Sequence, residues 1–188
     1  RGGYHCHPYH YYEEESISTC DFEGLLSEMS SNGNKYKALI FNQLGAYFLR
    51  DKNGAQLNHI DVDYVLNGGQ LELDAQRIHR NLDYLNKLGD SLPVIWLASW
   101  IEPRFPMHLP RRIVSYGIDN IKFHPTLIEA FKAIDHEAQD YITKNNLNVI
   151  YVPLYKYMEN KNWIQIIEGD CVTFNDKDHL SECGKKLA

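Results

Sequence analysis

Apolar runs of strand length alternate with amphipathic stretches along this chain. Three runs, at 37–49, 93–99 and 148–154, are rich in β-branched and aromatic residues, which is typical of buried strands, and the first is predicted to be a strand that runs into a loop. Apolar strands separated by amphipathic helices are typical of a parallel sheet covered on both faces. The pattern therefore predicts a three-layer α/β fold of the flavodoxin-like kind, with a mainly parallel sheet.

Two amphipathic helices are predicted between these runs, and a short helix is expected to begin near Ser181. The first spans 71–88 and stops at Gly89, and the second opens with the capping box Thr126-Leu127-Ile128-Glu129. Their apolar positions are Leu71, Ala75, Ile78, Leu82 and Leu85 in the first helix, and Leu127, Phe131, Ile134, Ala138 and Tyr141 in the second. Both sets recur at helical spacing, so each helix should bury one face.

The composition limits the class of protein. The chain has 188 residues, 44% of them apolar, which suffices for one domain with a core and is too little for two, so a single domain over 1–188 is expected. A net charge of −6 and a pI of about 5.8 argue against binding to nucleic acid or to an anionic membrane. The longest apolar runs, such as 92–100, are too short to span a bilayer.

Four cysteines bear on the cellular compartment. They allow three disulfide pairings, of which the least entangled joins Cys6 to Cys20 and Cys171 to Cys183. Each of these pairs brackets an irregular segment that a disulfide would stabilise, which favours an oxidising compartment; four reduced core thiols are the alternative. Because the chain opens with Arg1-Gly2-Gly3 rather than a signal peptide, export would depend on an upstream part of the gene product.

A histidine-rich segment, His5-Cys6-His7-Pro8-Tyr9-His10, is the candidate for a metal site. Imidazoles are common metal ligands. However, the chain contains no CxxC motif, and a disulfide at Cys6 would leave this segment as a histidine-rich surface loop. The sequence therefore predicts neither a metal nor a cofactor.

The most informative motif lies near the C-terminus, where Asp176 precedes His179 by three residues. A loop aspartate at this spacing can turn its carboxylate onto Nδ1 of the imidazole, which fixes the tautomer and stabilises an imidazolium during proton transfer. Ser181 can then cap the terminal helix and hold the loop in place. A solvated acidic turn with an incidental histidine is the alternative, because short motifs of this kind are common by chance.

The longer pattern Asp176-Lys177-Asp178-His179-Leu180-Ser181-Glu182-Cys183-Gly184 closely resembles the last catalytic block of SGNH hydrolases. It is most similar to the variant fused to membrane acyltransferases of the acyltransferase-three superfamily, the O-acetylators of bacterial O-antigens and polysaccharides. The likeness extends to the Cys-rich, Pro-containing segment from Cys6 to Cys20, to the strand KALIF, and to Cys171 before the DxxH loop. It covers most of the chain, and the terminal motif carries it.

The resemblance implies an extracytoplasmic, periplasmic domain that transfers an acyl group, expected to be acetyl, to carbohydrate hydroxyls through a serine acyl-enzyme. His179 would be the general base and Asp176 would orient it. The family's oxyanion asparagine follows the strand that KALIF represents, which makes Asn42 the candidate, although Phe41 precedes it and the usual Gly-x-Asn spelling is absent. A structural asparagine at a strand end is the alternative. The implied partners are a carbohydrate acceptor, an acyl donor and an N-terminal transmembrane acyltransferase domain that tethers the protein to the inner membrane.

The nucleophile of this family lies in a Gly-Asp-Ser block directly after the first strand. That strand and its serine are missing here and are expected upstream of Arg1. Gly89-Asp90-Ser91-Leu92 spells the block, but Ser91 follows a predicted helix and precedes a predicted strand. A nucleophile elbow requires the reverse order. Ser91 is therefore expected at the amino ends of the strands, away from a site at their carboxyl ends.

Trp100 is a candidate for stacking against sugar rings, together with Phe105, Tyr9, Tyr11 and Tyr12. Aromatic residues more often belong to the core or to ordinary surface than to a ligand platform. Two other functions also stay open. One is a free-standing SGNH carbohydrate esterase, and the other is a non-catalytic glycan-binding domain that kept the fold and lost its serine.

Overall fold

The fold is that of a computed structural model, which describes residues 6–12, 20–32, 35–43, 45–57, 60, 64–65, 67–98, 125–153, 167–168, 171–172 and 181–187. The chain divides into two compact units. The first unit comprises Arg1–Gln43, Leu73–Ala98 and Ala133–Pro153, and the second comprises Leu44–Glu72, Ser99–Lys132 and Leu154–Ala188.

The described secondary structure alternates between helices and short strands. The strands are β1 (Leu39–Asn42), β2 (Leu49–Asp51), β3 (Leu71–Leu73), β4 (Val94–Leu97), β5 (Val149–Val152), β6 (Ile167–Glu168) and β7 (Cys171–Val172). The α-helices are α1 (Phe22–Asn32), α2 (Ala75–Gly89), α3 (Pro125–Asn145) and α4 (Glu182–Leu187), and 3₁₀ helices span Pro8–Tyr12 and Gly45–Phe48. The run at 37–49 contains the four-residue strand β1, in agreement with the predicted strand that runs into a loop, and a 3₁₀ helix and the start of β2 follow it.

The first unit contains a three-stranded parallel sheet with the order β1-β4-β5. Phe41, Trp96 and Tyr151 are register partners across it, and the same register pairs Ile40 with Ile95 and Ile95 with Ile150. The prediction of a mixed α/β fold with a parallel sheet is therefore confirmed. Each strand is only four residues long.

Helix α2 begins later than its apolar spacing predicts. The Asp74 carboxylate, which is buried, accepts a hydrogen bond from the Arg77 amide at 3.2 Å and caps the helix before Ala75. Leu71 therefore belongs to strand β3, and its helical spacing from Ala75 is coincidental. Gly89 is the last helical residue, and a Cβ there would stand 2.6 Å from the carbonyl oxygen of Asn148.

Helix α2 lies beside α3, and polar pairs join the two helices. His79 Nε2 lies 2.6 Å from Glu137 Oε1, and the Tyr141 hydroxyl donates to Asp83 Oδ1 at 3.0 Å. The His79 ring also stacks on the Tyr141 ring with centroids 3.9 Å apart. These pairs fix the two helices side by side in one layer.

Both of these helices lie on the same face of the sheet. The Tyr151 hydroxyl on β5 donates to the Asp135 carboxylate on α3, which places α3 on the face that contains Trp96. The strand order runs in one direction along the chain, and right-handed crossovers then put successive helices on one face. On the opposite face, Ile40 is 64% exposed and Ile150 is 54% exposed. A helical layer over that opposite face stays a prediction.

The N-terminal segment is joined by a disulfide to the segment before α1 and packs against α2 through aromatic contacts. The disulfide Cys6–Cys20 joins the Pro8–Tyr12 3₁₀ helix to the segment before α1. Tyr9 is 1% exposed and lies under the Arg77 guanidinium, whose carbon is 4.4 Å from the ring centroid. The Tyr84 hydroxyl donates to the Phe22 carbonyl at 2.9 Å, so both elements are anchored on one side of α2.

Apart from the first residues of α3, the described part of the second unit consists of short elements. Strand β2 pairs with β3, and β6 pairs with β7 in antiparallel fashion. The disulfide Cys171–Cys183 joins β7 to α4. Both predicted disulfide pairings are therefore confirmed, and they are compatible with an extracytoplasmic location. Within the described ranges, no helix is long and apolar enough to cross a membrane.

Candidate functional site

The carboxyl edge of the parallel sheet is where an α/β fold of this kind places its working site. Three strand ends are joined there. The Ala98 amide donates to the Val152 carbonyl at 2.9 Å and so extends the pairing of β4 with β5 by one residue. Asn42, the last residue of β1, joins the same edge from the other side.

The Asn42 side chain spans the ends of β1 and β4. Its amide nitrogen Nδ2 lies 3.2 Å from the Leu97 carbonyl oxygen and 3.3 Å from the Ala98 carbonyl oxygen. An amide nitrogen has two hydrogens, so both donors are directed at the backbone of β4. Asn42 would have to release at least one of these bonds to donate to an oxyanion, and its oxyanion role stays a prediction.

A buried polar pair lies behind this edge, on the helix-facing side of the sheet. Asp135 is 5% exposed and accepts a hydrogen bond from the Tyr151 hydroxyl. The Tyr151 ring meets the fully buried Trp96 ring edge to face, with centroids 5.1 Å apart. Burial, reinforced by the Asp135 carboxylate, raises the pKa of Tyr151 well above its ordinary value. The phenol therefore stays protonated and acts as a donor.

Sequence patterns alone did not identify this pair, although one indication was present. Asp135 interrupts the apolar face of α3 between Ile134 and Ala138, which are both buried. An acid inside an apolar helical stripe requires a partner, because an unpaired buried carboxylate is costly. The partner, Tyr151, lies in a strand. The pattern of apolar and polar residues in that strand does not indicate whether the phenol is buried or exposed.

Asp176, His179 and Trp100 lie outside the described residues, whereas the start of the terminal helix lies within them. The Ser181 hydroxyl accepts a hydrogen bond from the Gly184 amide at 2.9 Å, which confirms the predicted cap of α4. The catalytic roles of Asp176 and His179 stay predictions.

Ser91 lies in the turn between α2 and β4. Its amide donates to the Leu88 carbonyl at 3.3 Å, and β4 begins three residues later at Val94. The predicted order of a helix before Ser91 and a strand after it is confirmed. Ser91 is therefore at the amino end of β4, opposite to the edge that Asn42 occupies.

The histidine-rich segment packs against its own aromatic residues. Cys6 is in a disulfide, and the rings of His7 and His10 lie 5.3 Å and 4.5 Å from the Tyr9 ring, centroid to centroid. Among the described residues, no group of three or more His, Cys, Asp or Glu side chains could hold a metal ion.

The aromatic residues of this segment differ in their exposure. Tyr9 is buried and cannot present a face to a sugar ring. Tyr11 and Tyr12 are half-buried, and the Lys87 ammonium lies 4.5 Å and 5.2 Å from their ring centroids. Burial is the main cause of a raised pKa at Tyr12, which the Lys87 charge opposes. The predicted stacking role of Trp100 and Phe105 concerns residues outside the described ranges.

Comparisons with known proteins returned no match to a protein-family model, a curated protein or a solved structure.

Proposed function

We propose that this chain is part of the periplasmic catalytic domain of an SGNH-type carbohydrate O-acyltransferase. The observation that carries the proposal is the terminal block from Asp176 to Gly184. It combines a DxxH motif with a helix that Ser181 caps and a disulfide that joins Cys183 to Cys171. A parallel sheet with Asn42 at its carboxyl edge is the kind of scaffold that such a block requires.

The proposed mechanism is two-step acyl transfer. A serine upstream of this chain attacks the acyl donor while His179 takes its proton, and Asp176 orients the imidazole. The tetrahedral oxyanion receives a hydrogen bond from Asn42, which exchanges one of its bonds to the end of β4 for this one. Collapse of this intermediate expels the donor's leaving group, which takes the proton from His179 and leaves the acyl-serine. A carbohydrate hydroxyl then attacks the acyl-serine while His179 removes its proton, and His179 returns that proton to the departing serine oxygen as the sugar ester forms. No metal or cofactor takes part.

The proposed flavodoxin-like fold makes a specific demand on the sheet. In the order 2-1-3-4-5, the first strand lies between the second and the third. Strands β1, β4 and β5 would be the second, third and fourth of that order. An upstream strand carrying the serine would therefore separate β1 from β4 in the complete domain, whereas in this chain Ile40 and Ile95 are direct partners.

A pair of introduced cysteines, Ile40→Cys with Ile95→Cys, tests this demand. All four cysteines of residues 1–188 are in disulfides, so the new pair would be the only free thiols within these residues. In residues 1–188 the pair should form a disulfide on oxidation. In the complete protein an intervening strand would hold the two Cα atoms about 10 Å apart, beyond disulfide reach. A disulfide between positions 40 and 95 of this double variant in the complete, active protein would contradict the proposed strand order.

The catalytic proposal is tested by intact-mass spectrometry of the complete natural protein after exposure to an activated acetyl ester. An acetyl adduct on a serine upstream of Arg1 is expected, and it should disappear when a carbohydrate acceptor is added. His179→Ala should prevent its formation. Decay of the adduct by water alone, with no product on the sugar, would favour an esterase. No adduct under any condition would favour a glycan-binding domain.

The proposed location is the periplasm, with an upstream transmembrane acyltransferase domain as tether. Two disulfides support an oxidising compartment, because such bonds persist where thiols are not kept reduced. Labelling of the native protein with a membrane-impermeant reagent in intact and permeabilised cells would test this placement.

A further inference from the structure

Two tyrosine rings of the Pro8–Tyr12 3₁₀ helix form a corner on the surface of the first unit. The rings of Tyr11 and Tyr12 are perpendicular, with an angle of 88° between their planes and centroids 4.9 Å apart. The Lys87 ammonium lies over both rings, 4.5 Å and 5.2 Å from their centroids. Both distances are within the range of a cation–π interaction, so one cation contacts two aromatic faces at once.

Contacts with α1 and α2 fix the Tyr11 side of this corner. The Tyr11 hydroxyl donates to Glu23 Oε1 at 2.6 Å. The Tyr11 ring packs against Tyr84, which is 1% exposed, with centroids 5.1 Å apart, and it meets the Phe22 ring edge to face at 6.1 Å. A ligand that binds in the corner therefore orders few additional side chains, which lowers the entropic cost of binding.

The charges around the corner favour a cation. Glu23 is bonded to Tyr11, and Asp83 precedes Lys87 by four residues on α2, so Asp83 and Lys87 share one face of the helix. Burial is the main cause of the raised pKa of Tyr12, which the Lys87 charge opposes and the Asp83 charge reinforces. The Asp83 charge therefore acts at the Tyr12 ring. Two carboxylates and one ammonium leave a negative excess, which attracts cations.

The corner suits a quaternary ammonium better than a primary one. A lysine ammonium has three N–H donors and is strongly hydrated. Lys87 Nζ lies 3.5 Å from the Tyr11 hydroxyl oxygen, at the outer limit of a hydrogen bond, and Glu23 Oε1 and Asp83 Oδ1 each accept a tyrosine hydroxyl already. A quaternary ammonium has no N–H to satisfy, and aromatic walls are the surfaces that typically recognise it. It should therefore displace the exposed Lys87 side chain from the two rings.

We propose that the corner formed by Tyr11 and Tyr12 binds a quaternary ammonium group, and that Lys87 is an internal competitor that occupies the corner when this ligand is absent. Lys87 lies near the end of α2 that leads into the amino end of β4, whereas Asn42 lies at the opposite edge of the sheet. The corner is therefore separate from the edge proposed for acyl transfer, and the inference does not rest on the proposed function.

Titration of the complete natural protein with tetramethylammonium chloride in a calorimeter tests the inference. Lys87→Ala removes the competitor and should tighten the binding of tetramethylammonium about five-fold, the factor expected for one cation–π contact. Lys144→Ala is the matched control, because Lys144 is an exposed lysine of α3 in the same unit, and it should leave the affinity unchanged. Ammonium chloride, a probe of the same charge with N–H donors, should bind the Lys87→Ala protein more weakly than tetramethylammonium does.

Variants of Tyr12 in the Lys87→Ala protein identify the group that binds. Tyr12→Ala should lower the affinity for tetramethylammonium at least about five-fold, whereas Tyr12→Phe should retain it, because the ring face makes the contact. Tyr36→Ala is the control, because Tyr36 is 46% exposed and precedes β1. Nuclear Overhauser effects from the methyl protons of the probe to the ring protons of Tyr11 and Tyr12 should locate the bound cation.

Four results would each overturn the inference. The first is a Lys87→Ala protein that does not bind tetramethylammonium, or binds ammonium equally well. The second is an equal change in affinity for Lys87→Ala and Lys144→Ala, and the third is an equal loss for Tyr12→Phe and Tyr12→Ala. If circular dichroism shows that Tyr12→Ala does not fold, the Overhauser effects in the Lys87→Ala protein decide, and their absence with the probe bound is the fourth. None of these measurements depends on acyl transfer.

Discussion

The parallel sheet and the terminal block are stabilised in different ways. On the helix-facing side of the sheet, Val94 and Trp96 are fully buried, and Ile134 from α3 is 1% exposed. In the terminal block, a two-residue strand and a six-residue helix are joined by a disulfide. Apolar burial stabilises the first region and a covalent constraint the second. Substitutions in the sheet should therefore affect stability first, whereas substitutions in the terminal block should affect activity first.

The largest effect is expected at His179. His179→Ala in the complete protein should lower acyl transfer by at least about 1,000-fold, as removal of a triad base usually does, with little change in the denaturation midpoint. Steady-state kinetics and urea unfolding measure the two quantities. Asp176→Asn should also lower kcat strongly, and Asp178→Asn is the matched control that should not. If Asp178→Asn lowered kcat more than Asp176→Asn did, Asp178 would be the residue that orients the imidazole.

The next largest effect is expected in the free energy of unfolding, when substitutions on the two faces of the sheet are compared. Trp96→Ala should destabilise the protein by about 3–5 kcal/mol, because it removes a large side chain from a packed interior. Ile150→Ala should cost less than about 1 kcal/mol, because Ile150 is 54% exposed. Urea unfolding of both variants measures the difference. A cost for Ile150→Ala in the complete protein that approaches that of Trp96→Ala would mean that a further layer covers this face.

The same contrast explains what the sequence predicts well. Strands β4 and β5 and helix α3 were predicted close to their observed positions, because long apolar runs and helical periodicity report burial directly. The start of α2 was misplaced, since the spacing of Leu71 from Ala75 fits a helix and the cap at Asp74 overrides it. Strands β6 and β7 have two residues each and carry no periodicity that could be recognised.

The sequence identified candidate residues for the site but did not predict the contacts that their side chains make. Asn42 was found through a resemblance, and the strand pattern alone did not place it, because the apolar run continues to residue 49 whereas β1 ends at Asn42. Its two bonds to the backbone of β4 could not be predicted, because they depend on which strands are neighbours. The observed disulfide pairing is the least entangled of the three that the sequence allows, a choice that the spacing of the cysteines favours without determining it.

A smaller loss of stability is expected at alkaline pH, at the contact between α2 and α3. Burial and the hydrogen bond to Asp83 raise the pKa of Tyr141 to about 12. The stability that the neutral phenol contributes is present below a pH of about 10, the ordinary pKa of tyrosine in an unfolded chain, and is lost as the pH rises towards 12. Urea midpoints measured between pH 8 and pH 11 should therefore fall for the wild-type protein. Tyr141→Phe should fall less steeply, and an equal slope would refute a contribution from this residue.

The smallest effect is expected at Ser91. Ser91→Ala should change the free energy of unfolding by less than about 0.5 kcal/mol and leave acyl transfer nearly intact, because Ser91 lies in a turn at the amino end of β4. Kinetics of the complete protein provide the measurement. A loss of activity comparable to that of His179→Ala would identify Ser91 as the nucleophile and overturn the distinction between the two ends of the sheet.

The glycine in the sequence Gly89-Asp90-Ser91-Leu92 has a structural explanation that does not involve catalysis. The backbone of α2 passes so close to Asn148 that even a methyl group at position 89 would collide with its carbonyl oxygen. Asp90 follows as the residue that ends the helix, with its amide bonded to the Leu88 carbonyl. The first two residues of the tetrapeptide thus have structural roles where the end of α2 meets the start of β5. The same tetrapeptide can therefore arise from a catalytic requirement in one protein and from a steric requirement in another. Only the surrounding backbone distinguishes the two cases.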